Sequence, residues 1–159
     1  MKAASIKELK QELNSRSQCD LLELCLRLSR FKKENKELLT YLLFEASDEA
    51  AYIEGIKTEI KQEFKQINKK SYYLIKKSVR KILRSIKKYI RYSKKKETEV
   101  ELLLCFCSEL NQMSPSINRS IPLKNIFNRQ IEVIKKTMLT LHEDLQFDYK
   151  SELDEILGE

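Results

Sequence analysis

Four cysteines, one histidine and a long run of lysine and arginine are the residues of this chain with most chemistry to offer. Cys19, Cys25, Cys105 and Cys107 suggest a four-sulfur zinc site, and structural zinc draws its ligands from Cys-x2–4-Cys pairs, commonly on turns. Here five residues separate Cys19 from Cys25, while Cys105 and Cys107 stand at i,i+2 and point to different sides of a leucine-rich helix. That spacing predicts thiols buried as small apolar groups, without a metal. A di-metal carboxylate bundle needs Glu-x-x-His on two helices. The single histidine, His142, has Leu139 three residues before it, so that motif is missing.

Nucleophilic chemistry is equally short of parts. Any Ser–His or Cys–His pair must use His142, which stands beside Glu143 and Asp144 and reads as a solvated surface residue. With Gly55 and Gly158 the only glycines, a glycine-rich phosphate loop is excluded. Glu45, Asp48, Glu49 and Glu54 could gather round a cation, but helix capping accounts for Asp48 and Glu49 without one. No catalytic residue, cofactor or metal is expected, and the chain does not read as an enzyme.

What remains is electrostatic. Between Glu63 and Glu97 the chain carries fourteen lysines and arginines and no acidic residue, although its overall net charge is only +7. Everything outside that run is therefore net acidic. Wound at 100° per residue, Ser71 to Lys94 places Ile75, Val79, Ile82, Leu83, Ile86, Tyr89 and Ile90 on one arc. Lys76, Lys77, Arg80, Lys81, Arg84, Lys87, Lys88, Arg91 and Lys94 fall on the opposite arc, with Tyr72, Tyr73 and Tyr92 on or beside it. Like charges at i,i+4 cost a few tenths of a kcal/mol per pair. A helix with this many must be held by its apolar face, by anions, or by both.

Two readings of the basic arc stay open. Phosphate contact with RNA or DNA backbone, helped by the tyrosines, is one. The other is an acidic protein partner, with the face otherwise solvated or paired to acidic residues of the same chain, such as those of a 143–159 tail. Membrane binding by such a helix ranks below both, because its apolar arc is needed for a core.

The elements that must position this arc are helical. The chain has 159 residues, two glycines, two prolines and no tryptophan, and it is rich in Leu, Ile, Lys and Glu. That composition favours helices and starves β-turns of their usual residues. No apolar run approaches the roughly 18–20 residues that span a bilayer. Without an apolar leader at the N-terminus, a cytoplasmic protein with reduced thiols is expected.

In chain order, Ser5-Ile6-Lys7-Glu8 is a capping box opening a short helix. Helices of about 20–31 and 34–46 follow, each with leucines spread nearly all round, so the hairpin 20–46 is expected at the centre of the core. A fourth helix starts at the Asp48 cap and carries Gly55, which suggests close approach of a neighbour. A break at Asn68–Ser71 precedes the basic helix, 71–95. Thr98-Glu99-Val100-Glu101 reads as a second capping box, followed by a loop at 111–121 and by a helix from Pro122 to about Leu145. A last short helix capped by Asp148 lies in the acidic tail.

The run from Phe31 to Glu45, with Arg80-Lys81-Ile82-Leu83-Arg84 and Tyr89-Ile90-Arg91-Tyr92-Ser93-Lys94, resembles an uncharacterised family of small bacterial all-helical proteins. The resemblance spans most of the chain and implies a helical fold, with no catalytic residue or activity to carry over. The expected architecture is all-α: a single domain, 1–159, of about seven or eight helices, arranged as stacked α-hairpins or a compact bundle. Oligomeric state is left open.

Overall fold

A computed structural model describes residues 2–158, and among these no residue lies in a β-strand. The helices are α1 (Ile6–Asn14), α2 (Gln18–Phe31), α3 (Lys33–Thr40), α4 (Glu49–Lys65), α5 (Tyr72–Ser93), α6 (Lys96–Gln112), α7 (Ile121–Met138) and α8 (Glu143–Leu157). A π-helical turn (Tyr41–Glu45) follows α3, and a 3-10 turn (Ile117–Arg119) precedes α7. The protein is all-α, as its composition requires. No helix of the described residues is long and apolar enough to cross a membrane.

The chain divides into two compact units, the first ending at Phe44 and the second starting at Glu45. In the first, two capping boxes set the helix starts. Ser5 Oγ accepts from the Glu8 N–H at 3.3 Å while Glu8 accepts from the Ser5 N–H at 2.7 Å, and Ser17 and Asp20 repeat the exchange before α2. α2 packs against α3. Yet none of α1, α2 and α3 has a buried residue. Leu22 and Leu28 are about 60% exposed, and Leu42, Leu43 and Phe44 stand in solvent as well. The expectation that the 20–46 hairpin forms the core centre is corrected: the cluster of buried apolar residues runs from Ile53 onward, and leucines all round a helix show only that it needs an apolar cover.

The core lies in the second unit, and α6 is its axis. α6 packs against α4, α5, α7 and α8. Leu102, Leu103, Leu104, Phe106, Cys107 and Leu110 on it are at most 1% exposed, so α6 is the helix that is apolar all round and also enclosed. Around it, α4 turns inward Ile53, Ile56, Ile60 and Phe64; α7 turns inward Leu123, Ile131 and Ile134; α8 turns inward Tyr149, Leu153 and Ile156. Hydrogen bonds tie the layers: Asn111 Nδ2 donates to the Ile156 carbonyl at 2.8 Å, and Tyr52 donates to the Tyr89 carbonyl at 3.2 Å.

Several boundaries differ from those expected, each for a local reason. Thr98 is fully buried inside the first turn of α6, where its hydroxyl reaches Glu49 Oε1 at 2.6 Å. The helix starts two residues earlier, capped by Lys95 without a side-chain hydrogen bond. The loop expected at 111–121 is shorter, because α6 runs on through Gln112 and the 3-10 turn fills part of the gap. α7 stops at Met138 rather than Leu145. His142, not Asp148, caps α8, its Nδ1 accepting from the Asp144 N–H at 3.4 Å, with Glu143 and Asp144 in the first turn where the helix dipole favours them. The acidic segment 143–159 is thus largely an ordered, packed helix.

Gly55 is corrected too. It is exposed within α4, and a Cβ built there meets nothing within 4 Å. With no neighbour to accommodate, it only adds unfolded-state entropy. Gly55→Ala should therefore stabilise the protein by about 0.5–1 kcal/mol, read as a higher denaturation midpoint at unchanged slope. A loss of stability would show that a neighbour does approach the site.

Candidate polyanion-binding surface on the basic helix

α5 starts where the sequence places it. Asn68 Oδ1 accepts from the Lys70 N–H at 3.1 Å, turning the chain after α4, and Ser71 Oγ caps the helix by accepting from the Leu74 N–H at 3.3 Å. Ile75, Val79, Ile82 and Ile86 are at most 3% exposed against the core. This burial fixes the rotation of the helix and hence the direction of its opposite side. Lys77, Arg80, Lys81, Arg84, Lys87, Arg91 and Lys94 are all exposed there, with Lys76 and Lys88 half-buried at the edges.

The C-terminal end carries a further cation. Lys94 adopts a left-handed conformation, φ 59°, with its N–H bonded to the Ile90 carbonyl at 2.9 Å. A non-glycine residue there costs about 1 kcal/mol. The lysine charge beside the last carbonyls of α5 offsets part of that through the helix dipole.

The tyrosines separate. Tyr73 is 68% exposed, with Lys76 Nζ 5.8 Å from its ring centre. Tyr72 is half-buried and spends its hydroxyl on the Ser116 carbonyl at 3.0 Å, pinning the start of α5. Tyr92 is buried and packs edge-to-face on Tyr89 at 6.3 Å, so it does not join the charged face expected of it. Only Tyr73 offers an open ring for stacking on a base. On the other edge, Lys88 Nζ lies 4.9 Å from the Tyr89 ring centre.

Charge pairing reaches this face where burial raises the Glu63 carboxyl and the Lys81 charge pulls against it. Lys95 bonds Glu49 at 3.1 Å and Lys96 bonds Glu99 at 3.3 Å, which accounts for the end of the basic run. Lys77, Arg80, Arg84, Lys87, Arg91 and Lys94 make no salt bridge among the described residues. α8 packs on α6 and α7, and no salt bridge joins it to α5 among the described residues. The acids nearest the core are otherwise engaged. Glu101 accepts from Lys57 Nζ at 2.8 Å and from the Tyr149 hydroxyl at 3.1 Å. Burial raises the Glu152 carboxyl above the usual range, against the pull of Lys57.

Beside the charged arc lies a shallow groove of about 720 Å³ between α5, α6 and α7. Leu83, Ile90, Leu103 and Val133 line its floor, and Arg80, Arg84, Lys87, Lys88 and Arg91 its rim, with Glu99 the one acid. The sequence reading missed this floor. Leu83 and Ile90, seven residues apart at the margin of the apolar arc, were the available signal. Glu99, its one carboxylate, accepts from Lys96 Nζ at 3.3 Å and from the Thr137 hydroxyl at 3.4 Å, and the rest of the lining is apolar surface flanked by cations.

The other groups singled out by type lie elsewhere. Among the described residues no three of His, Cys, Asp and Glu come together as a metal site requires. Cys105 and Cys107 are buried in α6, where loss of solvent pushes their thiols up to about 11 and about 12. Cys19 and Cys25 are exposed on α2, correcting the expectation of four buried thiols. A disulfide-exchange reagent should then titrate two thiols in the native chain and four in denaturant. Rapid reaction of all four without denaturant would contradict the enclosed α6.

His142 is exposed, its Nδ1 meeting Asp144 and its carbonyl accepting from the Gln146 N–H at 3.0 Å. Comparison of the chain with protein-family models, with curated proteins and with solved structures gave no match.

Proposed function

We infer that this is a non-enzymatic binding protein of the cytoplasm whose α5 face takes the phosphate backbone of RNA or DNA. The observation that carries the reading is a row of exposed cations along one helix, six of them outside any salt bridge among the described residues. Lys77 to Lys94 spans about 26 Å at 1.5 Å per residue, with one or two cations on every turn. Duplex DNA presents one phosphate charge per ~1.7 Å of axis, so such a row can engage several phosphates at once. Backbone contact carries no base information, and binding should be indifferent to sequence. A titration of generic RNA and duplex DNA at low salt tests this. Absence of binding to both would remove the reading.

A second reading rests on the groove. Its apolar floor and cationic rim also suit an acidic amphipathic helix, whose leucines would cover Leu83, Ile90 and Val133 while its carboxylates meet Arg84 and Arg91. Truncating the floor separates the two. Leu83→Ala with Val133→Ala should weaken an acidic helix and leave nucleic-acid affinity nearly unchanged.

A further inference from the structure

The unit ending at Phe44 holds most of the apolar surface that the described residues leave open. Eleven of their fifteen exposed large apolar side chains fall in it. Its three helices have 9, 14 and 8 residues, lengths at or below the ~12–15 residues at which an isolated helix becomes even marginal in water. Caps specify where these helices begin, but caps alone do not hold them. At about 100 Å² of apolar area per fully exposed side chain, the open surface summed over the eleven is on the order of 600 Å².

The charges on α2 say what covers it. Asp20, Glu23, Arg27 and Arg30 recur at i, i+3, i+7 and i+10 and so form one stripe along the helix. All four line the groove of about 920 Å³ between α1 and α2, together with Leu24 and Leu28. Glu23, Arg27 and Arg30 make no salt bridge among the described residues. The acids occupy the first half of the stripe and the arginines the second. Reversed end to end, the stripe is its own complement. A two-fold axis at the level of residue 25 sets Asp20 against Arg30 of the second copy and Glu23 against Arg27 of the second copy. One axis satisfies both pairs. The same axis brings Leu24 and Leu26 of the two copies within a turn of each other on either side of the charged seam. A parallel pairing in register would set acid on acid and arginine on arginine.

We propose that residues 2–44 form a homodimerisation module in which α2 pairs antiparallel with α2 of a second copy of this chain. An isologous contact of this kind needs only one self-complementary patch. The proposal is independent of the basic face, and each can fail without the other.

The experiment uses the full chain, nuclease-treated so that nucleic acid cannot bridge copies. Sedimentation across roughly 1–100 µM should show a concentration-dependent species of twice the 18.9 kDa chain mass. Glu23→Lys and Arg27→Glu should each weaken the dimer at least about tenfold, because each sets like charges across the axis. Mixed one to one, the two variants should recover the dimer as a heterodimer, since Lys at 23 then meets Glu at 27. A variant that merely misfolds gives no such recovery. Leu24→Asp should abolish association alone and in mixtures. A monomer throughout the concentration range overturns the proposal and implicates a foreign partner or the rest of the chain as the cover. So does a dimer that ignores both charge reversals, or one that mixing fails to restore.

Discussion

Phe106→Ala should cost about 3–5 kcal/mol, the range for deleting a fully buried aromatic ring. The ring is wholly enclosed at the middle of α6 and meets Phe64 edge-to-face with centroids 5.7 Å apart. Four helices pack on α6, so the cavity has walls on every side and little freedom to collapse. A loss of this size takes a large share of the ~5–15 kcal/mol that a domain of this kind commands. Denaturant titration followed by circular dichroism gives the number. Leu139→Ala is the control: its side chain is 76% exposed, and its loss should stay within about 0.5 kcal/mol. Equal effects at the two positions would mean that the core is not organised on α6.

That pair of residues also marks what the sequence can and cannot disclose. Leu102 to Cys107 is a run of six apolar residues, and so it covers every face of a helix. The apolar residues of α2 and of 38–44 are nearly as continuous, and the two runs look alike by periodicity. What separates them is enclosure: α6 is buried among four helices, whereas no residue of α2 is buried. Hydropathy records that a surface needs covering and is silent on whether the cover belongs to the same chain.

Local signals were read more faithfully. Ser71 as a cap, the break before it and the basic arc of α5 all stand in the structure, because capping and the 100° wheel are decided within a few residues. Thr98 shows the limit of such reasoning. Its sequence context is that of a cap, but Glu49 and Ser93 offer its hydroxyl partners inside the fold, and the helix begins before it. Tyr92 shows the same for the site. On the wheel it borders the cations, yet its ring reaches back to Tyr89 and is lost to the surface. The groove floor was unreadable for a related reason: Leu103 and Val133 join Leu83 only through packing between helices.

Changing Lys77, Arg84, Lys87 and Arg91 together to glutamate should abolish nucleic-acid binding while leaving the fold intact. All four side chains are exposed and none makes a salt bridge among the described residues, so no internal contact is lost. Lys77 and Lys81, Arg80 and Arg84, and Arg84 and Lys88 now repel at i,i+4; reversing one member of each pair replaces repulsion with attraction, while Lys87 and Arg91, both reversed, remain a like-charge pair. Stability should therefore hold or rise slightly, which separates a binding defect from unfolding. For the unaltered protein, log affinity should fall linearly with log salt, by about 0.9 per phosphate neutralised on duplex DNA and about 0.7 on single strands. Single reversals should each shallow that slope by about one unit, by similar amounts on unrelated sequences. A salt slope that stays unchanged when Arg84 or Arg91 is reversed would place the contact elsewhere on the molecule. If neither RNA nor DNA binds at about 50 mM salt, where phosphate contacts are strongest, the cations serve another anion, and the acidic-helix reading of the groove takes precedence.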